Sequence, residues 1–151
     1  MKNRITRPAT LVVMLVALLA SLALSVTAQD MMGNTHQMSK KGQPMVAIIR
    51  ADWCSACQKL EPAMAELMEQ YKDRINFVVL DVTTDEKTAA SSATARKLGI
   101  SNFFKANKKK TSTVAIFGAK KKLLFRTDHN ADRDAFVRAF DDAIAKNGQR
   151  G

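Results

Sequence analysis

Residues 51–62 read Ala-Asp-Trp-Cys-Ser-Ala-Cys-Gln-Lys-Leu-Glu-Pro and contain the only two cysteines of the 151-residue chain. Upstream, residues 45–50 form a short apolar run rich in β-branched side chains, which is typical of a buried strand. Downstream of Cys57, apolar residues recur at helical spacing as far as Tyr71. The pattern predicts that the cysteines lie where a strand passes into a helix. Because the free N–H groups of a helix start favour negative charge, Cys54 is the expected thiolate nucleophile.

This arrangement resembles the thioredoxin superfamily, in which a Trp-Cys-x-x-Cys motif follows a central strand and opens a helix. The resemblance extends over residues 43–146, and its sharp motif is the segment around the cysteines. It implies that Cys54 is the attacking thiol, that Cys57 is the resolving thiol, and that Trp53 flanks the site. Pro62 matches the proline that many members carry within the first helix.

The remaining patterns predict the rest of an α/β fold. Residues 75–82 read as a second buried strand, and residues 85–98 as a helix that Thr84 or Asp85 caps and Gly99 closes. Two further strands, followed by a last helix that ends before Gly148, complete the chain. These elements lie at residues 113–117, 123–127 and 132–146. The predicted order β-α-β-α-β-β-α, with a mixed central sheet, is the minimal thioredoxin-like core.

The chain departs from the thioredoxin pattern before the third strand. Family members have a cis-proline there, which faces the cysteines, binds the substrate backbone and keeps metals away. In this sequence Ser112 stands at that position, followed by Thr113. The resemblance implies that both residues flank the substrate site. We expect a trans peptide at Ser112, because a non-proline cis bond costs about 2.5–4 kcal/mol.

A second departure lies beneath the cysteines. Family members bury an acid six residues before the first cysteine, and a lysine often neighbours it from the next strand. Here those positions hold Ile48 and Val79. Deprotonation of Cys57 would then depend on water or on Asp52, which we assign a modulating role. The link formed by residues 101–110 is longer than in typical members, and we expect it near the rim of the site.

The start of the chain indicates export. Residues 1–28 combine a basic start, an apolar centre and a small-residue cleavage site, as a secretory signal does. An uncleaved membrane anchor at residues 11–28 is the alternative. We expect a flexible linker at 29–43, one domain at 44–147 and a tail at 148–151. A periplasmic or extracellular location follows from either interpretation, with membrane association only if the segment is uncleaved.

These features favour an exported thiol-disulfide oxidoreductase with a part in redox homeostasis. Its partners would be protein thiols and disulfides, together with an unidentified protein that recycles the pair. The reaction needs no organic or metal cofactor. The intervening Ser55 and Ala56 match neither the Gly-Pro of reducing thioredoxins nor the Pro-His of strong oxidants. We lean towards a reductase, because no histidine stands between the cysteines to stabilise the thiolate.

Two other hypotheses stay open. The first is a metal-handling module in which the cysteines bind Cu(I), with or without help from a tail of soft ligands. The tail residues are Met31, Met32, His36 and Met38. The simpler interpretation of that tail is an unstructured, Met-rich lead-in. The second hypothesis is a redox-inert binding domain with a permanent disulfide.

Charge adds one candidate surface. The chain carries a formal charge of +10, and residues 101–127 contain eight basic residues and no acidic one. The face at 105–126 is either an ordinary solvated surface or a binding patch for an acidic partner. Few aromatic residues interleave these lysines, which argues against nucleic acid. His129 is predicted to be a surface turn residue, and neither histidine has zinc-ligand spacing.

Overall fold

A computed structural model describes residues 42–148. The predicted signal segment, nearly all of the predicted linker and the last three residues lie outside the described residues, as do Met31, Met32, His36 and Met38. Within residues 42–148, no helix is long and apolar enough to cross a membrane.

Four strands form one mixed sheet in the order β2-β1-β3-β4. The strands are β1 (Met45–Arg50), β2 (Asn76–Asp81), β3 (Thr113–Phe117) and β4 (Leu123–Asp128). β1 runs parallel to β2 and antiparallel to β3, and β3 and β4 form the predicted antiparallel hairpin. The strand predictions are therefore confirmed to within one residue at each end.

Four helices flank the sheet: α1 (Ser55–Tyr71), α2 (Asp85–Lys97), α3 (Ser101–Asn107) and α4 (Arg133–Gly148). A short 3-10 turn, Ala119–Lys121, joins β3 to β4. Pro62 lies within α1. Thr84 caps α2 by accepting a hydrogen bond from the Lys87 N–H at 3.2 Å. Gly99 follows α2 with a φ of +74°, the left-handed conformation in which glycine ends helices.

Two predictions about helices were wrong. The sequence predicts a plain link after Gly99, but most of that segment forms α3. This helix is too short for an apolar period to reveal it, and it forms because Phe104 inserts into the core beside Ile100. The last helix was expected to end before Gly148, yet α4 includes that residue.

The helices cover both faces of the sheet. On one face α1 and α4 close a core around Phe136 and Phe140, and Tyr71 and Phe77 each meet the Phe140 ring edge-on. On the other face α2 and α3 pack over alternate strand residues. These core positions include Met45, Ala47, Ile49, Val78, Leu80, Ala115 and Phe117. Near-continuous burial of β1 and β3 follows from this double cover.

The sheet has two distinct ends. We call the end where β1 and β2 finish and β3 begins the cysteine end, because the chain passes from Arg50 into the cysteine loop there. The pairing of Ile49 with Thr113 brings the start of β3 to this end. The pairing of Met45 with Phe117 brings the finish of β3 to the opposite end.

Candidate active site

The cysteine pair closes the turn between β1 and α1. The Cys54 N–H donates to the Ala51 carbonyl at 3.1 Å, which bends the chain out of the strand. Cys54 then caps α1, because its Sγ accepts a hydrogen bond from the Cys57 N–H at 3.1 Å. The two residues form a disulfide with their Cα atoms 5.2 Å apart. The predicted junction between a strand and a helix is thus confirmed.

The disulfide is buried, whereas the neighbouring Trp53 is exposed to solvent. Cys54 and Cys57 are only 7% and 4% exposed and pack with Ala51, while Trp53 is 65% exposed. The Trp53 indole N–H donates to the Thr83 carbonyl at 3.3 Å. A large aromatic surface therefore stands in solvent directly beside the disulfide, in a position defined by the loop after β2.

Charged residues surround that loop on the side of β2. Arg50 contacts Asp52 at 2.8 Å and Asp81 at 3.2 Å. Lys87 contacts the same two carboxylates, at 3.3 Å and 3.0 Å respectively. Two cations thus bridge two anions at the ends of β1 and β2. We call this group, together with Trp53 and Thr83, the β2 flank.

Thr83 joins the charges to the cysteine loop. Its hydroxyl accepts from the Asp52 N–H at 3.0 Å and donates to Asp81 at 2.5 Å. Gln58 adds a hydrogen bond from its side-chain amide to the Asp52 carbonyl at 2.8 Å. The residues just before Cys54 are therefore tied both to the loop after β2 and to α1.

These contacts favour the ionised forms of the charged groups. The hydrogen bond from Arg50 holds the pKa of Asp52 below its ordinary value of 3.8, although desolvation opposes this shift. Burial alone would raise the pKa of Asp81, but hydrogen bonds from Thr83 and Lys87 outweigh it and lower that pKa. The hydrogen bond to Asp81 raises the pKa of Lys87. At neutral pH all three side chains are charged.

Asp52, the residue expected to modulate the pair, is held in this network by Arg50 and Lys87. The sequence patterns did not single out Arg50, Asp81 or Lys87. A signal was present for the first two, since oppositely charged residues end two neighbouring parallel strands and pair directly in the register. Ile48 and Val79 also pair in the register and pack in the core, so the two positions that we matched to the family's acid and lysine are apolar.

Ser112 and Thr113 lie across the cysteine end from the β2 flank. Ser112 is 1% exposed, has a φ of +59°, and its Oγ has no hydrogen-bond partner. Its carbonyl accepts from the His129 N–H at 3.0 Å. The Thr113 hydroxyl lies 2.7 Å from both the Lys110 carbonyl and an Asp128 carboxylate oxygen. We call Ser112, Thr113 and their contacts with Asp128 and His129 the β3 flank.

The peptide before Ser112 is trans, as we predicted, since residues 42–148 contain no cis peptide. The positive φ at Ser112 was not predicted. Few residues other than glycine adopt this conformation, and it costs about 1–2 kcal/mol. Hydrogen bonds to the Lys110 carbonyl and to the Ser112 carbonyl hold the chain on both sides of this residue.

Metal ligands are sparse in this region. Among the described residues, no group of three histidine, cysteine, aspartate or glutamate side chains is arranged to hold a metal ion. His129 is exposed in the turn after β4, where we predicted it. The copper hypothesis stays a prediction, because its methionines lie outside residues 42–148.

Comparison with known proteins identifies the architecture. Residues 26–125 match the family model described as thioredoxin. The structure resembles the solution structure of a thioredoxin-like protein in the oxidized form. The match covers 69% of this chain and 79% of that chain. The TM-score is 0.50 and the identity 13%. That likeness concerns the fold alone, and it confirms the predicted thioredoxin-like fold.

Two curated relatives share local sequence. The chain is 38% identical over 60 residues to the chloroplastic thioredoxin-like protein HCF164 of Oryza sativa, a match that covers 38% of this chain and 23% of the relative. It is 34% identical over 70 residues to the thiol:disulfide interchange protein TxlA of Synechococcus elongatus, which covers 46% of this chain and 34% of the relative. The chain thus spans about a third or less of each relative's length.

Proposed function

The chain belongs to the thioredoxin family, and from this premise we propose that it is an exported thiol-disulfide oxidoreductase that acts on proteins, preferentially as a reductase. The family match and the thiol:disulfide interchange relative support a disulfide oxidoreductase. The observation that carries the proposal is the shielded Cys54–Cys57 disulfide at the start of α1, beside an exposed tryptophan.

In the reducing direction, the Cys54 thiolate attacks one sulfur of a substrate disulfide. The Cys54–substrate bond forms, the substrate disulfide breaks, and the released thiolate takes up a proton. The Cys57 thiolate then attacks Cys54, which forms the intramolecular disulfide and releases the second substrate thiol. Two electrons and two protons pass to the substrate, and a dithiol donor must return them in the next cycle.

The residues around the pair have supporting roles in this proposal. Trp53 offers an apolar contact for the incoming chain. Ser112 and Thr113 act through their backbone, because both side chains are buried. Asp52 modulates the pair through its hydrogen bonds with the loop and with Arg50.

Export rests on residues 1–28, whose composition matches a secretory signal. We propose removal of this segment and a single catalytic domain at 44–147, between a linker and a short tail. Cell fractionation tests export, and mass spectrometry of the mature protein tests the removal of residues 1–28. A protein that retains residue 1 and remains in the membrane fraction would establish the anchor alternative.

The reduction potential of the pair is the decisive measurement. The full chain is equilibrated in defined thiol buffers, alkylated and analysed by mass spectrometry. A value between about −270 and −180 mV supports the reducing role, and one near about −120 mV reverses the proposed direction. A value below about −300 mV with slow exchange would make the disulfide structural and overturn the proposal.

Single-cysteine variants assign the two roles. Cys54→Ser removes the attacking thiol, so disulfide reduction should fall by about a thousandfold or more. Cys57→Ser retains that thiol but cannot resolve the intermediate, so it should accumulate a mixed disulfide with the substrate. If the mixed disulfide accumulates in the Cys54→Ser variant instead, Cys57 is the attacking thiol and Cys54 the resolving thiol.

A further inference from the structure

The basic segment that looks continuous in sequence is divided by the fold. Lysines 108–110 precede β3 and lie at the cysteine end, since Thr113 pairs with Ile49. Lysines 120–122 follow β3 in the hairpin turn at the opposite end, where the Gly118 N–H donates to the Lys122 carbonyl at 2.9 Å. The five residues of β3 separate the two groups by about 14 Å. Only the first group lies at the end of the sheet that carries the cysteine loop.

Lysines 108–110 have a fixed backbone and exposed side chains. The Lys108 N–H donates to the Phe104 carbonyl at 2.8 Å, and the Lys110 N–H donates to the Asn107 carbonyl at 2.7 Å. Among the described residues, no carboxylate forms a salt bridge with Lys108 or Lys109. Their charges are therefore available to a partner.

The cysteine end is electrically polarised. On the side of the β2 flank, Arg50 and Lys87 balance the charges of Asp52 and Asp81, and the exposed carboxylates of Asp85 and Glu86 leave an excess of negative charge. On the other side, Asp128 is already paired with Arg126 at 2.5 Å. A negatively charged chain that approaches the disulfide is repelled by the first side and attracted by lysines 108–110.

We propose that lysines 108–110 are a docking surface for an acidic segment of the protein whose disulfide is exchanged, and that lysines 120–122 take no part. The inference rests on the proposed function and names the partner chemistry of the same site. The occupant is an extended polypeptide with aspartate or glutamate within a few residues of its reacting cysteine, because the lysines and the cysteine loop lie at the same end of the sheet. Exposed Trp53 supplies its apolar contact near the cysteine.

The test compares two disulfide-linked peptides of equal length. One carries three aspartates on one side of the cysteine, and the other carries three serines at those positions. The reduced full chain is mixed with each peptide, and the second-order rate of reduction is measured at about 20 mM and about 500 mM salt. We expect the acidic peptide to react about tenfold faster at low salt. The ratio should approach one at high salt, where charges are screened within about 5 Å.

Two triple variants with the same change in net charge provide the matched control. Lys108→Glu, Lys109→Glu and Lys110→Glu together should abolish the preference for the acidic peptide. Lys120→Glu, Lys121→Glu and Lys122→Glu together should change it less than about twofold, because those side chains lie at the opposite end. Equal losses in both variants would show an effect of net charge alone and overturn the docking surface. An unchanged preference in the first variant would also overturn it.

The serine peptide separates this inference from the proposed function. If the wild-type chain fails to reduce either peptide, the proposed function itself fails. If it reduces both peptides equally at low salt, only the docking surface fails. Binding to anionic phospholipid vesicles that only the 108–110 variant loses, without any peptide preference, would assign these lysines to a membrane surface and overturn the proposal.

Discussion

The β2 flank and the β3 flank accommodate their polar groups in opposite ways. In the β2 flank, Arg50, Asp52, Asp81 and Lys87 pair two cations with two anions, and Thr83 links them to the cysteine loop. In the β3 flank, Ser112 buries a hydroxyl without a hydrogen-bond partner on a backbone with positive φ. The β2 flank is held by paired charges, whereas the β3 flank keeps one unpaired hydroxyl in a conformation that its neighbouring hydrogen bonds hold in place.

This difference falls at positions that we matched to the family's acid, lysine and proline. Ile48 and Val79, matched to the acid and the lysine, form an apolar pair, and charges appear two residues later, at Arg50 and Asp81. There they are partly exposed, which lowers the cost of desolvation. At Ser112, which we matched to the family's proline, hydrogen bonds hold the chain on both sides of the turn.

The largest effect should come from removal of Arg50. Arg50→Met leaves Asp81 with one cation fewer, and we expect a loss of about 2–3 kcal/mol in the free energy of unfolding. This lies below the roughly 3–5 kcal/mol for breaking a fully buried pair, because Arg50 and Asp81 remain 18% and 23% exposed. Urea unfolding measures the loss, and acrylamide quenching of Trp53, the only tryptophan, should increase.

Arg126→Met is the matched control on the other side of the site. Its ion pair with Asp128 is more exposed, so the loss should stay below about 1 kcal/mol, with unchanged quenching of Trp53. Equal losses in the two variants would remove the distinction between the network of ion pairs in the β2 flank and the single, more exposed ion pair at Asp128.

An intermediate effect, of opposite sign, is expected at Ser112. Ser112→Gly relieves the positive φ and removes the unpaired hydroxyl, against the added chain entropy of glycine in the unfolded state. We expect a net gain of about 1 kcal/mol in stability by urea unfolding. Lys120→Gly also relieves a positive φ but removes no buried polar atom, so its gain should be smaller. A loss at Ser112 would show that its hydroxyl stabilises the folded chain.

The smallest effect concerns pH. The pKa values of Asp52 and Asp81 are lowered in the folded chain, so their stabilisation is fully present above about pH 4 and is lost as the pH falls through the lowered values. Arg50→Met removes the largest cause of the Asp52 shift. The stability difference between wild type and this variant should therefore narrow below about pH 4. Urea midpoints at about pH 7, 5, 4 and 3 test this, and a constant difference would contradict it.

Much of the fold and the centre of the site were predictable from local patterns. The strand before Ala51 is a continuous apolar run, the helix after Cys54 has a clear apolar period, and the cysteines lie between them. The hairpin of β3 and β4 was predictable from two apolar runs and a short turn. Helix α3 was not, because its seven residues contain too few turns to show a period.

The sequence by itself determined that Cys54 and Cys57 lie at the start of a helix in an α/β domain, because that information is local. Only the tertiary structure decided which distant charges meet beside the cysteine loop and which lysines lie at the same end of the sheet. Parallel register brings Arg50 to Asp81, and antiparallel register carries lysines 108–110 and 120–122 to opposite ends of the sheet. The conformation of Ser112 has the same origin, since strand pairing and hydrogen bonds from distant residues override its own backbone preference.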